Sequence, residues 1–73
     1  MNYRYKVASI YVGSEDAEAY FTNDLELAII NFKNVTASQT YLLDQDTGAI
    51  LLLKEYSAMI WIDSDVKEIY ENE

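Results

Sequence analysis

Residues 49–62 hold the densest apolar run in the chain, and its alternation limits the fold more than any other feature. In an extended chain Ile50 and Leu52 point one way and Leu51 and Leu53 the other; Ile60 and Ile62 oppose Met59 and Trp61 in the same manner. Apolar residues on both faces describe strands that are covered on both sides. Ala49, Leu52, Leu53, Tyr56 and Ile60 also have helical spacing, which offers a helix over the same residues. Strands are the better reading, because Gln45-Asp46-Thr47-Gly48 reads as a hairpin connection with a glycine where the backbone needs a positive φ. Residues 40–44 and 49–54 are then the two arms of the hairpin, Glu55-Tyr56-Ser57 turns the chain, and residues 58–62 add a further strand. The run is interrupted by Lys54, Glu55 and Ser57, which makes it too short and too polar to span a bilayer.

The remaining elements follow from local pattern. Residues 3–12, rich in tyrosine, valine and isoleucine and closed by Gly13-Ser14, read as a first strand. Residues 14–21 read as a loop with a short extended piece at Tyr20-Phe21. The strongest helix covers residues 23–35. Asn23 with Glu26 fits a capping box, and Asp24 suits the positive end of the helix. At about 100° per residue, Leu25, Ala28, Ile29, Phe32 and Val35 fall within one arc of about 120°, a core-facing stripe. Residues 63–73 read as a short helix, capped by Asp63 or Ser64, with Val66, Ile69 and Tyr70 on its inner side. The expected fold is α+β, a single domain over residues 1–73. It has a small, mainly antiparallel sheet in the order β-α-β-β-β, one main helix packed on it and a short C-terminal helix. Two helices are hardly enough to cover both sheet faces. Either the tail helix folds over the second face, or another chain does.

Composition excludes much of chemistry. Among 73 residues there is no cysteine and no histidine, so no disulfide, no thiolate nucleophile and neither of the commonest metal ligands. Asp44, Asp46 and Gly48, with Glu55 at the twelfth position, resemble a damaged EF-hand calcium loop. Its sixth position, where the turn needs glycine, is Ala49, and strand-like sequence flanks it on both sides. Asp63 and Asp65 form a second acidic pair, better explained by the helix dipole than by a magnesium ion. A domain this small leaves little room for a walled cleft, and no motif sets a base beside a serine, threonine or lysine. The reading is a protein that is not an enzyme and needs no cofactor or metal.

Thirteen acids against five bases give a net charge of −8. Such a charge opposes direct contact with nucleic acid or anionic lipid and favours a basic protein partner. The start of the chain lacks the apolar core of a signal peptide, so the expected compartment is the cytoplasm of a bacterium or host cell. Five acids and no base lie between Glu15 and Glu26, and five more, against Lys67 alone, between Asp63 and Glu73. On the tail helix Asp65, Glu68 and Glu71 form a stripe with neighbours about 5–6 Å apart, comparable to phosphates along a strand. Glu15, Asp16 and Glu18 make a second acidic patch. In composition alone, a short, acidic, cysteine-free chain with such a stripe resembles the inhibitors phages make against host nucleases, the DNA-mimic anti-restriction and anti-CRISPR proteins. That resemblance implies occupation of a basic, nucleic-acid-binding surface on a host enzyme. The alternative is a homodimeric structural or accessory protein whose acids serve solubility only. Its interface would use Leu27 and Ile30, which lie off the helix core stripe, and Met59 and Trp61 on the sheet. Seven tyrosines suit either strands or an interface.

Overall fold

The computed structural model describes residues 2–11, 13 and 17–71. It contains β1 (Tyr5–Ile10), β2 (Ala17–Thr22), α1 (Leu25–Asn34), β3 (Gln39–Asp44), β4 (Ala49–Glu55), β5 (Ala58–Trp61) and α2 (Ser64–Tyr70). The strands form one antiparallel sheet in the order β2-β1-β3-β4-β5. The fold is α+β, with α1 packed on the sheet and α2 short and C-terminal. The expected element order is extended by one strand. The two-residue extended piece at Tyr20-Phe21 is part of a six-residue edge strand, β2, paired with β1 from Tyr5↔Thr22 to Ile10↔Ala17. Ala17, Glu18 and Ala19 have no strand preference of their own; the exposed edge of β1 imposes the extended conformation on them.

α1 begins one residue later than the capping-box reading places it. Asp24 is the cap, its carboxylate accepting from the backbone N–H of Glu26 and Leu27. Asn23 instead accepts from the Arg4 N–H and ties the helix entrance to the start of β1. The expected core stripe is observed: Ala28, Ile29 and Phe32 are buried, and Leu25 and Val35 pack beside them. Val7, Leu42 and Leu52 are cross-strand neighbours on three adjacent strands, and with Ile29 and Phe32 they form the centre of the core.

The four leucine-like positions of β4 do not alternate as the sequence suggests. Leu42 pairs with Leu52 but Leu43 pairs with Ile50, which leaves Leu51 as the extra residue of a β-bulge. The bulge turns Leu51 inward beside Leu52, so both are buried, while Ile50 and Leu53 point outward. The Leu51 carbonyl accepts from the N–H groups of Ile62 and Asp63, and this ends β5 and sets the start of α2. Asp63 then caps α2 by accepting from Asp65 and Val66. Val66 is buried and Tyr70 half-buried, but Ile69, expected on the inner side, is 64% exposed. Seven residues give α2 room for one buried contact line, and Val66 and Tyr70, one turn apart, occupy it.

α2 lies on the same side of the sheet as α1. Val66 joins the cluster of Phe32 and Leu52, and the Lys33 ammonium donates to the Tyr70 carbonyl at 3.1 Å. The question of which element covers the second face therefore has a definite answer: among the described residues, no helix does. The molecule is a plate 18 Å thick, two layers rather than three.

The β3–β4 and β4–β5 turns each place a residue in left-handed conformation. Gly48 (φ 76°) does so between β3 and β4 without penalty. Between β4 and β5 the residue is Tyr56 (φ 54°), whose N–H donates to the Ser38 carbonyl and whose side chain is mostly exposed. A tyrosine there carries strain of about 1 kcal/mol or more. Tyr56→Gly should raise stability by about 0.5–1 kcal/mol, the relief of strain less the added entropy of the unfolded chain. A higher midpoint in thermal unfolding checks it; a lower one would mean that the ring contributes packing its exposure does not suggest.

Candidate interaction site

The face of the sheet opposite the helices is apolar and open. β1 contributes Lys6, Ala8 and Ile10 to it, and Tyr41 and Leu43 come from β3, the middle strand. Ile10, Phe21 and Ile60 are 46%, 43% and 48% exposed, far above what a monomer's sheet core shows. Ile10, Tyr41, Leu53 and Ile60 line a shallow depression of about 200 Å³ on this face. Within the strands this face carries two charges, Lys6 and Glu55. The Lys6 ammonium sits 5.9 Å from the centre of the Phe21 ring, a cation–π contact that holds it over the sheet. These exposed apolar side chains make this face the candidate interaction surface of the fold.

The acids lie elsewhere. Asp65, Glu68 and Glu71 are all exposed along α2, so the structure keeps these three together as a stripe. Lys67 reaches Glu71 at 3.7 Å and partly neutralises its C-terminal end. Glu18 is exposed on β2, accepts a 3.4 Å hydrogen bond from the Tyr11 hydroxyl, and flanks α1 beside Asn31. Its strand is at the opposite edge of the sheet from β5, about 19 Å across four strand spacings. The two acidic patches therefore do not merge. Glu15 and Asp16 lie outside the described residues.

The four apolar residues expected at an interface separate into two groups. Leu27 and Ile30 are indeed outside the core, 47% and 48% exposed on the outer side of α1. Met59 and Trp61 require correction as open surface. Each pairs across strands with a buried residue, Lys54 and Leu52, so both face the helices and pack against the core. The outward residues of β5 are Ala58 and Ile60. The alternation of β5 was legible but not which of its faces is open, and Tyr20-Phe21 read as extended without the pairing to β1 that puts Phe21 on this face.

The basic residues are committed to structure. Lys54 is buried, 6% exposed, and its ammonium donates to the carbonyls of Phe32 (2.8 Å) and Val35 (2.6 Å) at the C-terminal end of α1. A cation there satisfies orphan carbonyls and the negative end of the helix dipole together. Burial lowers its pKa below the ordinary lysine value. Lys54 also lines a cavity of about 510 Å³ with Lys33, Tyr56 and Ser57, yet its protons are directed at the helix end. Arg4 donates to both carboxylate oxygens of Asp44, at 3.4 and 3.2 Å. Desolvation pushes the Asp44 pKa up, but hydrogen bonds from Arg4 and the Asp46 N–H, with the charge of Arg4, outweigh it and hold the carboxyl below its ordinary value.

That use of Asp44 disposes of the calcium loop. Asp44 stands opposite Ala49 at one end of the β3–β4 ladder and Glu55 opposite Gln39 at the other, about 20 Å apart. Ligands one and twelve of such a loop cannot converge on one ion. Among the described residues, no group of three acids is placed to hold a metal, and no helix is long and apolar enough to cross a membrane. No known protein family, curated protein or solved structure matches the chain.

Proposed function

We propose that this chain is a non-enzymatic protein-binding module whose recognition surface is the open face of its sheet. The observation that carries the reading is the exposure of Ile10, Phe21 and Ile60, spread from one edge strand to the other on one face of a five-stranded sheet whose helices both lie on the other side. Burial of such side chains against a partner removes apolar area from water at about 25 cal/mol per Å². The acids rim the opposite side, where they keep an otherwise adhesive plate soluble.

A second reading keeps the acids in the leading role. Asp65, Glu68 and Glu71 are exposed in one line on α2, which favours an inhibitor that occupies a basic, nucleic-acid-binding surface of a host enzyme. One experiment separates the two. A tagged chain is used for affinity capture from cells that also express an untagged copy, and two variants are compared with it. Ile10→Asp with Ile60→Asp should abolish specific capture, because both side chains sit on the open face and neither supports the fold. Asp65→Asn, Glu68→Gln and Glu71→Gln together should leave capture intact. The reverse pattern, loss with the amides and retention with the aspartates, would transfer the function to α2.

A further inference from the structure

We infer that the occupant of the open face is a second copy of this chain, packed sheet to sheet across a two-fold axis that passes close to Tyr41. The inference rests on the open-face reading and adds the identity of the partner.

The placement of the two charges carries it. Ala8, Tyr41 and Leu53 are cross-strand neighbours on β1, β3 and β4 and mark the middle of the face. Lys6 is two residues from Ala8 along β1, toward the Leu43 end. Glu55 is two residues from Leu53 along β4, toward the Gln39 end. Measured from Tyr41, each charge is displaced by one strand spacing, about 4.8 Å, and by two residues, about 6.6 Å, in opposite directions. The two charges are therefore antipodal and of opposite sign. A two-fold axis lying in the plane of the face, perpendicular to the line joining them, sets Lys6 of each copy over Glu55 of the other. Two ion pairs form from one interaction, which is the self-complementarity that an isologous contact demands.

The same axis fixes the packing angle. It crosses the strands of the two sheets at about 70°, near the orthogonal class of sheet packing. Sheets so packed stand about 10 Å apart, a gap that a lysine and a glutamate span from opposite sides. The face measures roughly 20 Å along the strands and 24 Å across them, so a steep crossing wastes little overlap. That footprint is about 500 Å² per copy, or about 1,000 Å² for the pair, the lower limit of a specific association. Charge does not forbid it. The open face is neutral within its strands, and the stripe of Asp65, Glu68 and Glu71 lies on the helix side, with two sheets between the stripes of the two copies. That separation exceeds the Debye length of about 8 Å at physiological salt.

The test is a charge reversal read by light scattering coupled to size exclusion, with circular dichroism as the check on folding. The wild-type chain should elute with twice the mass of an 8.4 kDa monomer. Lys6→Glu and Glu55→Lys should each weaken self-association at least tenfold, because each sets like charges against one another twice. The double variant, with the charges exchanged, should recover the dimer. A wild-type monomer at millimolar concentration overturns the inference, and so does a dimer that tolerates both single reversals or a double variant that stays dissociated. The open-face reading fails separately, when Ile10→Asp with Ile60→Asp leaves capture unchanged. A monomeric wild type whose captured proteins are lost with those two aspartates would reject the second copy and retain the surface.

Discussion

Truncation of Phe32 to alanine should cost the domain about 4 kcal/mol, the range for a fully buried phenylalanine. Its ring is 0% exposed on α1 and meets Ile29, Leu42 and Leu52 at the centre of the core. A chain of 73 residues is worth only about 4–11 kcal/mol in total, so the variant should lose from about a third to all of its stability. The loss exceeds a simple cavity cost, since the ring also faces the Lys54 ammonium at 5.1 Å from its centroid. Urea titration followed by circular dichroism measures the effect. A loss below 1.5 kcal/mol would mean that the helix layer collapses into the void.

Lys54→Met should cost about 2–3 kcal/mol while keeping nearly the same volume, because two carbonyls at the end of α1 lose their donors. The pH dependence isolates the cause. Burial depresses the folded-state pKa of Lys54 below 10.5, so between the two values the unfolded chain binds more protons than the folded one. The stability of the wild type relative to the methionine variant should therefore rise with pH through the alkaline range and level off above 10.5. Tyr5, whose hydroxyl is raised by burial, acts in the other direction above 10, losing stability as pH climbs through its folded value. It is present in both proteins and cancels in the difference. A difference that is flat or falls with pH would show that the ammonium is not desolvated.

The sequence was most legible where one residue type decides a geometry. The α1 stripe of Ala28, Ile29 and Phe32, the glycine turn at Gly48 and the Asp63 cap all follow from local chemistry. It was least legible where partners decide. β2 exists because β1 offers an edge, and Leu51 faces inward because a bulge shifts the register against β3. No local signal announces either. The alternation indicated apolar residues on both sheet faces, but which face α2 takes depends on the Leu51 carbonyl and on the Lys33–Tyr70 contact. Lys54 was passed over for a related reason. A lysine in an apolar strand signals an exposed edge, and only the end of α1, brought across by the fold, converts it into an internal cap.

The order of the strands also has a kinetic consequence. β3, β4 and β5 follow one another in sequence and in space, and so do β1 and β2. The pairing of β1 with β3 is different: Ile10 meets Gln39 and Tyr5 meets Asp44 across an intervening strand and helix. Two locally closed pieces must find each other along this seam, and chain entropy is lost there before the contacts of α1 reward it. Val7 and Leu42, paired on the seam, should accordingly belong to the folding nucleus, so that their truncation slows folding. Met59, on the short β5, belongs to a piece that closes locally, and its truncation should act mainly by speeding unfolding.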